Sequence, residues 1–427
     1  MKEHKISLPT AILFNMNIMI GSGILIGPAA SAAISGNASF LAWPLVALLF
    51  LPIVLTTIEL SRMFPGAGGF YLYAKQGLNE NAGYLAGMLY IIGYTFAASV
   101  EVLALRKTLL TTLTPNFITT NPLLFNIVII AIAILFSLLS LKIVSNFLNS
   151  LTLAKILPLV ILILLLPLIF NPSFTISSAE LALLPASLAL PIFGYFGFEY
   201  CVGISHLIKD SEKNAPRAIL IGFLGTGLLY MFFHFGLLNL MGAKDLASYG
   251  APAFADFINL PIPYLKSLLK ILIPAAAILT LFAGMLGMIN ANAILLQSMA
   301  KEKLFKGGSL LLPLNAHQRP WAALLFIGAL VLAIDTFIPS IPLTGGLCVL
   351  GVFLSFILPF ISLLLIQKKN NLGTHKKIIT VLGLIMVALF SAYSFYTLSP
   401  LMSERILYAL VLIATIGIAW LVKNNKR

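Results

Sequence analysis

Charge is what this sequence lacks most. Only 9% of its 427 residues are Asp, Glu, Lys or Arg, against roughly 25% in an ordinary soluble domain. So few charges cannot cover a water-facing surface, which excludes a soluble globular protein and leaves a chain that faces lipid. Acids are scarcer than bases, thirteen against 26. They are dispersed, with Asp210 and Glu212 the nearest loop pair and surrounded by bases, so the clustered carboxylates of a Mg²⁺-dependent intramembrane enzyme are missing. Cysteine is nearly absent. Cys201 and Cys348 both lie in apolar runs and make no disulfide framework, and the five histidines are scattered without metal-ligand spacing. Neither a metal nor a cofactor is expected. No segment reads as a carbonyl-lined filter or a ring of like charge, which argues against a channel.

What is present is apolar, at 60% of the chain. A span needs about 20 mostly apolar residues, and the sequence places spans near 9–33, 40–62, 83–105, 123–141, 150–170, 187–208, 217–241, 270–298, 321–339, 344–366, 378–397 and 404–422. Long runs without alternation are helices rather than barrel strands. Lys2, Lys5 and the later Ala30-Ser31-Ala32 imitate a secretory signal. The intervening run is longer than the 7–15 residues of a signal core, though, and further spans follow. The net charge of +13 would suggest nucleic acid in a soluble protein. Here the bases lie in short loops, so they report topology and no nucleic-acid partner is expected. With both termini cytoplasmic, Arg106, Lys107, Lys244, Lys266, Lys270 and Arg405 fall outside and the other 20 of the 26 bases inside. The segment 242–269, with Pro252, Pro261 and Pro263, reads as short helices on the outer surface.

Two spans are interrupted. The first carries Gly21-Ser22-Gly23 at mid-depth, and the sixth carries Phe193-Gly194-Tyr195-Phe196-Gly197-Phe198-Glu199 just after Pro191. Either run alone could serve close helix packing. Together they open two successive groups of five spans, and five is odd, so the second group enters from the opposite side. A broken first helix in each half of an inverted repeat is the arrangement of a midplane substrate site. Unwinding frees N–H groups that can hold a carboxylate and carbonyls that can hold an ammonium.

Asn17-Ile18-Met19-Ile20-Gly21-Ser22-Gly23-Ile24 resembles the first-helix signature of the amino acid–polyamine–organocation transporters. Glu59-Leu60-Ser61-Arg62-Met63-Phe64-Pro65-Gly66-Ala67-Gly68-Gly69-Phe70-Tyr71-Leu72-Tyr73 resembles the second-helix and loop signature of that family. Phe196-Gly197-Phe198-Glu199, then Lys209 to Ile219, resembles its sixth helix and next loop, and Ala300 to Phe305 the end of its eighth. Within the family the chain is similar to the bacterial basic amino-acid and arginine–agmatine antiporters. The resemblance runs through most of 8–320.

The resemblance implies an all-α integral membrane fold of twelve transmembrane helices. These form a 5+5 inverted repeat of the leucine-transporter type (9–170 and 187–366), with helices 1 and 6 broken and two further C-terminal helices (378–422). It implies a secondary active transporter of amino acids, by proton symport or exchange, with a polyamine or other organic cation as the alternative. The substrate carboxylate would meet the N–H groups of Ser22 and Gly23, with Gly21 and Gly197 allowing the breaks. Carbonyls of Met19, Ile20, Phe193 and Phe196 would take the amino group. Phe193 stands where the antiporters often have a gating Trp, and Met288 where one stacks on guanidinium, which argues against arginine as substrate.

A charge at the bilayer centre costs about 2.5–3.5 kcal/mol or more, so each needs a partner or a role. Lys155 is either a snorkelling interfacial residue or, as the resemblance implies, a lysine bonded to the unwound first helix and able to carry a proton. Glu199 either caps freed N–H groups or takes part in gating. Glu101 either pairs with Arg106 or Lys107, or faces a cationic substrate side chain. Glu59 is expected in a structural pair with Arg62 or another loop, and Asn290 and Asn292 in helix–helix hydrogen bonds.

Overall fold

The computed structural model describes residues 5–66, 68–112, 114–262, 264–397 and 402–423. Lys2, Lys426 and Arg427 of the topology count, Ala67 of the second-helix signature and Pro263 lie outside the described residues. The first half contains α1 (Leu8–Met19), α2 (Ser22–Ser35), α3 (Ala42–Met63), α4 (Gly69–Gly77), α5 (Glu80–Thr112), α6 (Phe117–Thr120), α7 (Pro122–Ser137), α8 (Leu141–Ile169) and α9 (Ser178–Leu183). The second contains α10 (Ala189–Gly194), α11 (Tyr200–Gly203), α12 (Ser211–Tyr249), α13 (Phe254–Phe257), α14 (Leu265–Lys301), α15 (Trp321–Phe337), α16 (Ile341–Lys369), α17 (Thr374–Thr397) and α18 (Met402–Val422). Among the described residues there is no strand, and the β pairing is confined to two isolated bridges.

Among the described residues seven helical stretches are long and apolar enough to cross a membrane, and α1, α7 and α15 are shorter apolar helices. Leu164, Ile271 and Leu421 are more than two-thirds exposed, as lipid-facing side chains should be, while polar side chains such as Asn17, Thr152 and Ser355 are buried between helices. That is the reverse of a water-soluble bundle, and it multiplies internal hydrogen bonds because hydrocarbon supplies none.

Two groups of helices meet at the centre. In one, α12 packs against α1, α2 and α3. In the other, α5 packs against α14 and α16. The chain starts α1 with a Ser7 cap and Pro in the first turn. Before it, Ile6 N donates to Leu207 O (2.8 Å) and Lys209 N to Ile6 O (3.0 Å), so the start of the first broken helix is tied to the end of the second. On the opposite face, Ser31 Oγ donates to Ser187 O (3.2 Å) and Ser35 Oγ to Ser187 Oγ (3.0 Å). Hydrogen bonds therefore bridge the two broken helices on both sides of their crossing.

The loop helix α4 is anchored to the end of α14 by the Lys75–Glu302 pair (2.9 Å). The Tyr71 hydroxyl, then Glu302, hold the Lys75 ammonium well above the usual lysine range. Glu59 pairs with Lys376 of α17 at 2.6 Å rather than with Arg62. Segment 242–269 does contain short helices, but it is not a free surface layer. Gly242 kinks α12 with φ +76°, and Phe254 and Ile258 are buried against the helices beneath. Apolar residues at a span's end are covered by protein more cheaply than left at the water boundary.

Candidate substrate site at two crossed helix breaks

The first break is two residues wide. Ile20 leaves the helix at ψ +81° and Gly21 turns it at φ −122°, ψ −148°, after which α2 restarts at Ser22. The second is wider: α10 ends at Gly194, α11 begins at Tyr200, and Gly197 lies at φ +101°. Only glycine enters that region without strain. The breaks touch each other through glycine. A Cβ on Gly197 would lie 2.4 Å from Ile18 Cγ2, and one on Gly23 would lie 3.0 Å from Gly194 Cα. From a third side α14 presses in. A Cβ on Gly287 would meet Ile18 Cδ1 at 2.4 Å, and one on Gly284 would meet the Glu101 carboxyl carbon at 3.5 Å. Met288, one residue on, is buried on that helix.

Lys155 does not snorkel. It is wholly buried, and its Nζ donates to Asn17 O (2.6 Å), Asn17 Oδ1 (3.0 Å) and Ile20 O (2.6 Å). A helix end leaves its last carbonyls without partners and carries partial negative charge. One ammonium meets both needs. Tyr230 OH caps the neighbouring Met19 O at 2.5 Å. Two carbonyls expected to receive a substrate amine therefore have donors from the chain itself.

Glu101 is also buried, and it bonds neither Arg106 nor a loop base. Arg106 Nε donates to Thr119 O (3.0 Å). Glu101 Oε1 instead accepts from Ser22 N (3.1 Å) and Ser22 Oγ (2.9 Å). The Ser22 N–H is one of the two donors at the start of α2 expected to hold the substrate carboxylate; Glu101 takes it and the Ser22 hydroxyl, not the Gly23 N–H. The two halves of the first span thus end on opposite charges, Lys155 on the carbonyl side and Glu101 on the N–H side.

Glu199 closes the second break. Its Oε2 accepts from Gly197 N (3.2 Å), its Oε1 accepts from Tyr94 OH, and it is fully buried. This caps the unwound turn and ties it to α5. Glu199→Gln would present an amide N–H to one of these two donors. A loss of about 1–3 kcal/mol is expected from that unmet bond, read as a lower unfolding temperature of the purified protein; an unchanged temperature would show the two bonds do not matter. Phe196 packs its ring on Phe353 at 4.9 Å, whereas Phe193 is half-buried beside Gly23. Asn290 Nδ2 reaches Ser137 Oγ (2.6 Å), and Asn292 Nδ2 reaches Ile91 O (2.9 Å), which makes both helix–helix ties.

Four buried polar groups escaped the sequence reading. Asp335 on α15 accepts from Ser99 Oγ. It is an acid inside an expected span, so its position alone was a signal. His234 accepts from Trp43 Nε1 (3.0 Å) and contacts Ser39 Oγ (3.1 Å), joining α12 to α3. Arg319, counted as a loop base, is buried with Nη2 on Asn290 Oδ1 (2.5 Å) and Nε on Ser137 O (3.0 Å). Tyr230 carried no sequence signal, since its role depends on which way α12 faces.

The amino acid permease family model matches residues 6–418. The chain is 26% identical over 412 residues to the serine/threonine exchanger SteT of Bacillus subtilis, covering 93% of this chain and 90% of that protein. It is 23% identical over 415 residues to the putrescine transporter PotE of Haemophilus influenzae, covering 92% of each. A third relative is the aspartate–proton symporter of Bacillus subtilis, 24% identical over 276 residues, 61% of this chain and 52% of that protein.

Proposed function

Because the chain belongs to the amino acid permease family, we propose that it is a secondary active transporter that moves amino acids across the membrane by alternating access. The observation that carries this reading is the direct contact of the two breaks through Gly197–Ile18 and Gly23–Gly194. It puts the donors at the start of α2 and the carbonyls at the end of α1 at one crossing point, beside a second unwound segment. The carboxylate of a zwitterion has the complementary charge for that helix start. The exchanger and symporter among the relatives support transport by exchange or proton symport.

The fuller architecture is twelve spans with a 5+5 inverted repeat and both termini cytoplasmic, in a bacterial inner membrane. It rests on the parity of the spans and the distribution of bases. The group α1, α2, α3, α10, α11 and α12 would move against a scaffold containing α5, α8, α14 and α16, with Lys155 and Glu199 holding the breaks to that scaffold. Phe193 and Met288 border the space for the substrate side chain. An organic cation without a carboxylate is the second reading, favoured by Glu101 on the Ser22 donors and by the putrescine-transporting relative.

Purified protein in liposomes tests the proposal. A thermal-shift and counterflow panel of the proteinogenic amino acids plus ornithine, agmatine and putrescine is expected to give saturable uptake of a cationic or neutral amino acid. That uptake should be accelerated by substrate on the far side. Flux that rises linearly without saturation would point to a channel and defeat the carrier reading.

A further inference from the structure

Glu101 sits where a transported carboxylate should. Its Oε1 takes both donors that Ser22 offers, at the first turn of the fourteen-residue helix α2. The fit is built in. A Cβ on Gly21 would lie 2.7 Å from Oε1, and Gly284 faces the same carboxyl group from α14, so glycines on two helices leave room for it. The other oxygen, Oε2, is buried and has no hydrogen-bond partner. Glu101 therefore takes both Ser22 donors while itself remaining half satisfied.

We propose that Glu101 is an internal competitor for the substrate carboxylate, and that it leaves the Ser22 donors by taking up a proton, so that an amino acid binds together with one H⁺. This rests on the transporter reading and gives that site its coupling step. The charges balance. Before binding, one carboxylate (Glu101) faces the start of α2. After binding, one carboxylate (the substrate's) faces it, and Glu101 is a neutral carboxylic acid whose proton came from the aqueous phase. Two carboxylates on the same two donors would repel at hydrogen-bonding distance, so both cannot stay ionised there. Other titratable groups do not replace this step. Lys155 on α8, Tyr230 on α12 and Cys348 on α16 are near enough to act on Glu101. The Lys155 ammonium already serves three oxygens of α1 and its end, and Tyr230 OH serves Met19 O. Asp335 on α15 faces Ser99, two residues along α5. Gly284 and Ser22 present no titratable group.

The competitor role makes a prediction opposite to that of a carboxylate gripping a substrate cation. The probes are the amino acid that stabilises the wild type most in the panel above and its own decarboxylated amine: ethanolamine for serine, putrescine for ornithine, agmatine for arginine. In the wild type, the amino acid should bind more tightly as pH falls, by up to about tenfold per pH unit for one linked proton. Glu101→Gln, neutral at every pH, should bind it at least as tightly as the wild type does at low pH, with a flat pH profile. Uptake should no longer respond to a proton gradient. Binding of the amine should show no such slope in either protein.

If Glu101→Gln instead weakens amino acid and amine alike, Glu101 is a cation ligand and the proposal fails. It fails also if the amines alone stabilise the wild type. Proton uptake per bound amino acid, measured on the wild type by calorimetry in buffers of different ionisation enthalpy, decides the matter even if the variant misfolds. About one proton is expected, and zero overturns the proposal. Absence of any saturable uptake in the wild type is a different result, since it removes the transporter reading itself.

Discussion

Lys155→Ala is expected to abolish uptake in liposomes, with or without a proton gradient. The substitution leaves Asn17 O, Asn17 Oδ1 and Ile20 O without the donor that now serves all three. No water-filled surface is at hand, because Lys155 is fully buried. A buried acceptor left unmet costs about 1–3 kcal/mol, so losing several in one turn removes more than the roughly 1.4 kcal/mol that corresponds to a tenfold change in an equilibrium. Thr152 Oγ1 can still reach Asn17 Oδ1 (3.3 Å), which leaves the two backbone carbonyls as the main loss. The first break would then lose its shape. The comparison with Glu101→Gln is informative. That variant should lose the pH response of binding, whereas Lys155→Ala should lose uptake altogether. Gradient-driven uptake by Lys155→Ala at the wild-type rate would show that the ammonium neither shapes the break nor takes part in coupling.

Gly197→Ala is expected to be nearly as severe, for a reason that involves no charge. At φ +101° a side chain is strained whatever surrounds it, at a cost of about 1–3 kcal/mol. The added Cβ would also lie 2.4 Å from Ile18 Cγ2 and 3.0 Å from the Ile18 carbonyl carbon. Ile18 cannot retreat easily, because a neighbouring residue on each side of it, Asn17 and Met19, is pinned by Lys155 and Tyr230. Both unfolding temperature and uptake should fall. Gly203→Ala is the control, since a Cβ there meets nothing within 4 Å, and it should leave both unchanged. Combining Gly197→Ala with Ile18→Ala removes the 2.4 Å contact with Cγ2 but keeps the 2.7 Å contact with the Ile18 Cβ and the backbone strain, so only slight recovery is expected. Full recovery would show that neither the positive φ nor the remaining Cβ contact matters.

Much of this was legible before any coordinates. Nine per cent charge and repeated apolar runs require a membrane protein. Glycine clusters at mid-span locate helix breaks, because helix propensity is a local property. The Gly21 and Gly197 breaks fall where they were expected. Lys155 stood out as a base within an apolar span, and the resemblance implied a bond to the unwound first helix; which oxygen atoms it meets came from the structure. The partnering of longer side chains was less accessible. Glu101 had plausible partners one turn away in Arg106 and Lys107, yet α5 is rotated so that its carboxylate faces Ser22, 79 residues earlier. Arg319 read as a loop base, and His234 and Asp335 went unread.

The sequence by itself determined the solvent, the helical class and the places near Gly21 and Gly197 where helices come apart. These follow from composition and from residues that cannot continue a helix. Only the tertiary structure decided what fills the gaps: Lys155 at the carbonyl end, Glu101 at the N–H end, Glu199 in the second turn. Those choices depend on how helices distant in sequence are rotated and pressed together. In hydrocarbon every freed donor and acceptor must find a partner among whatever side chains that packing delivers.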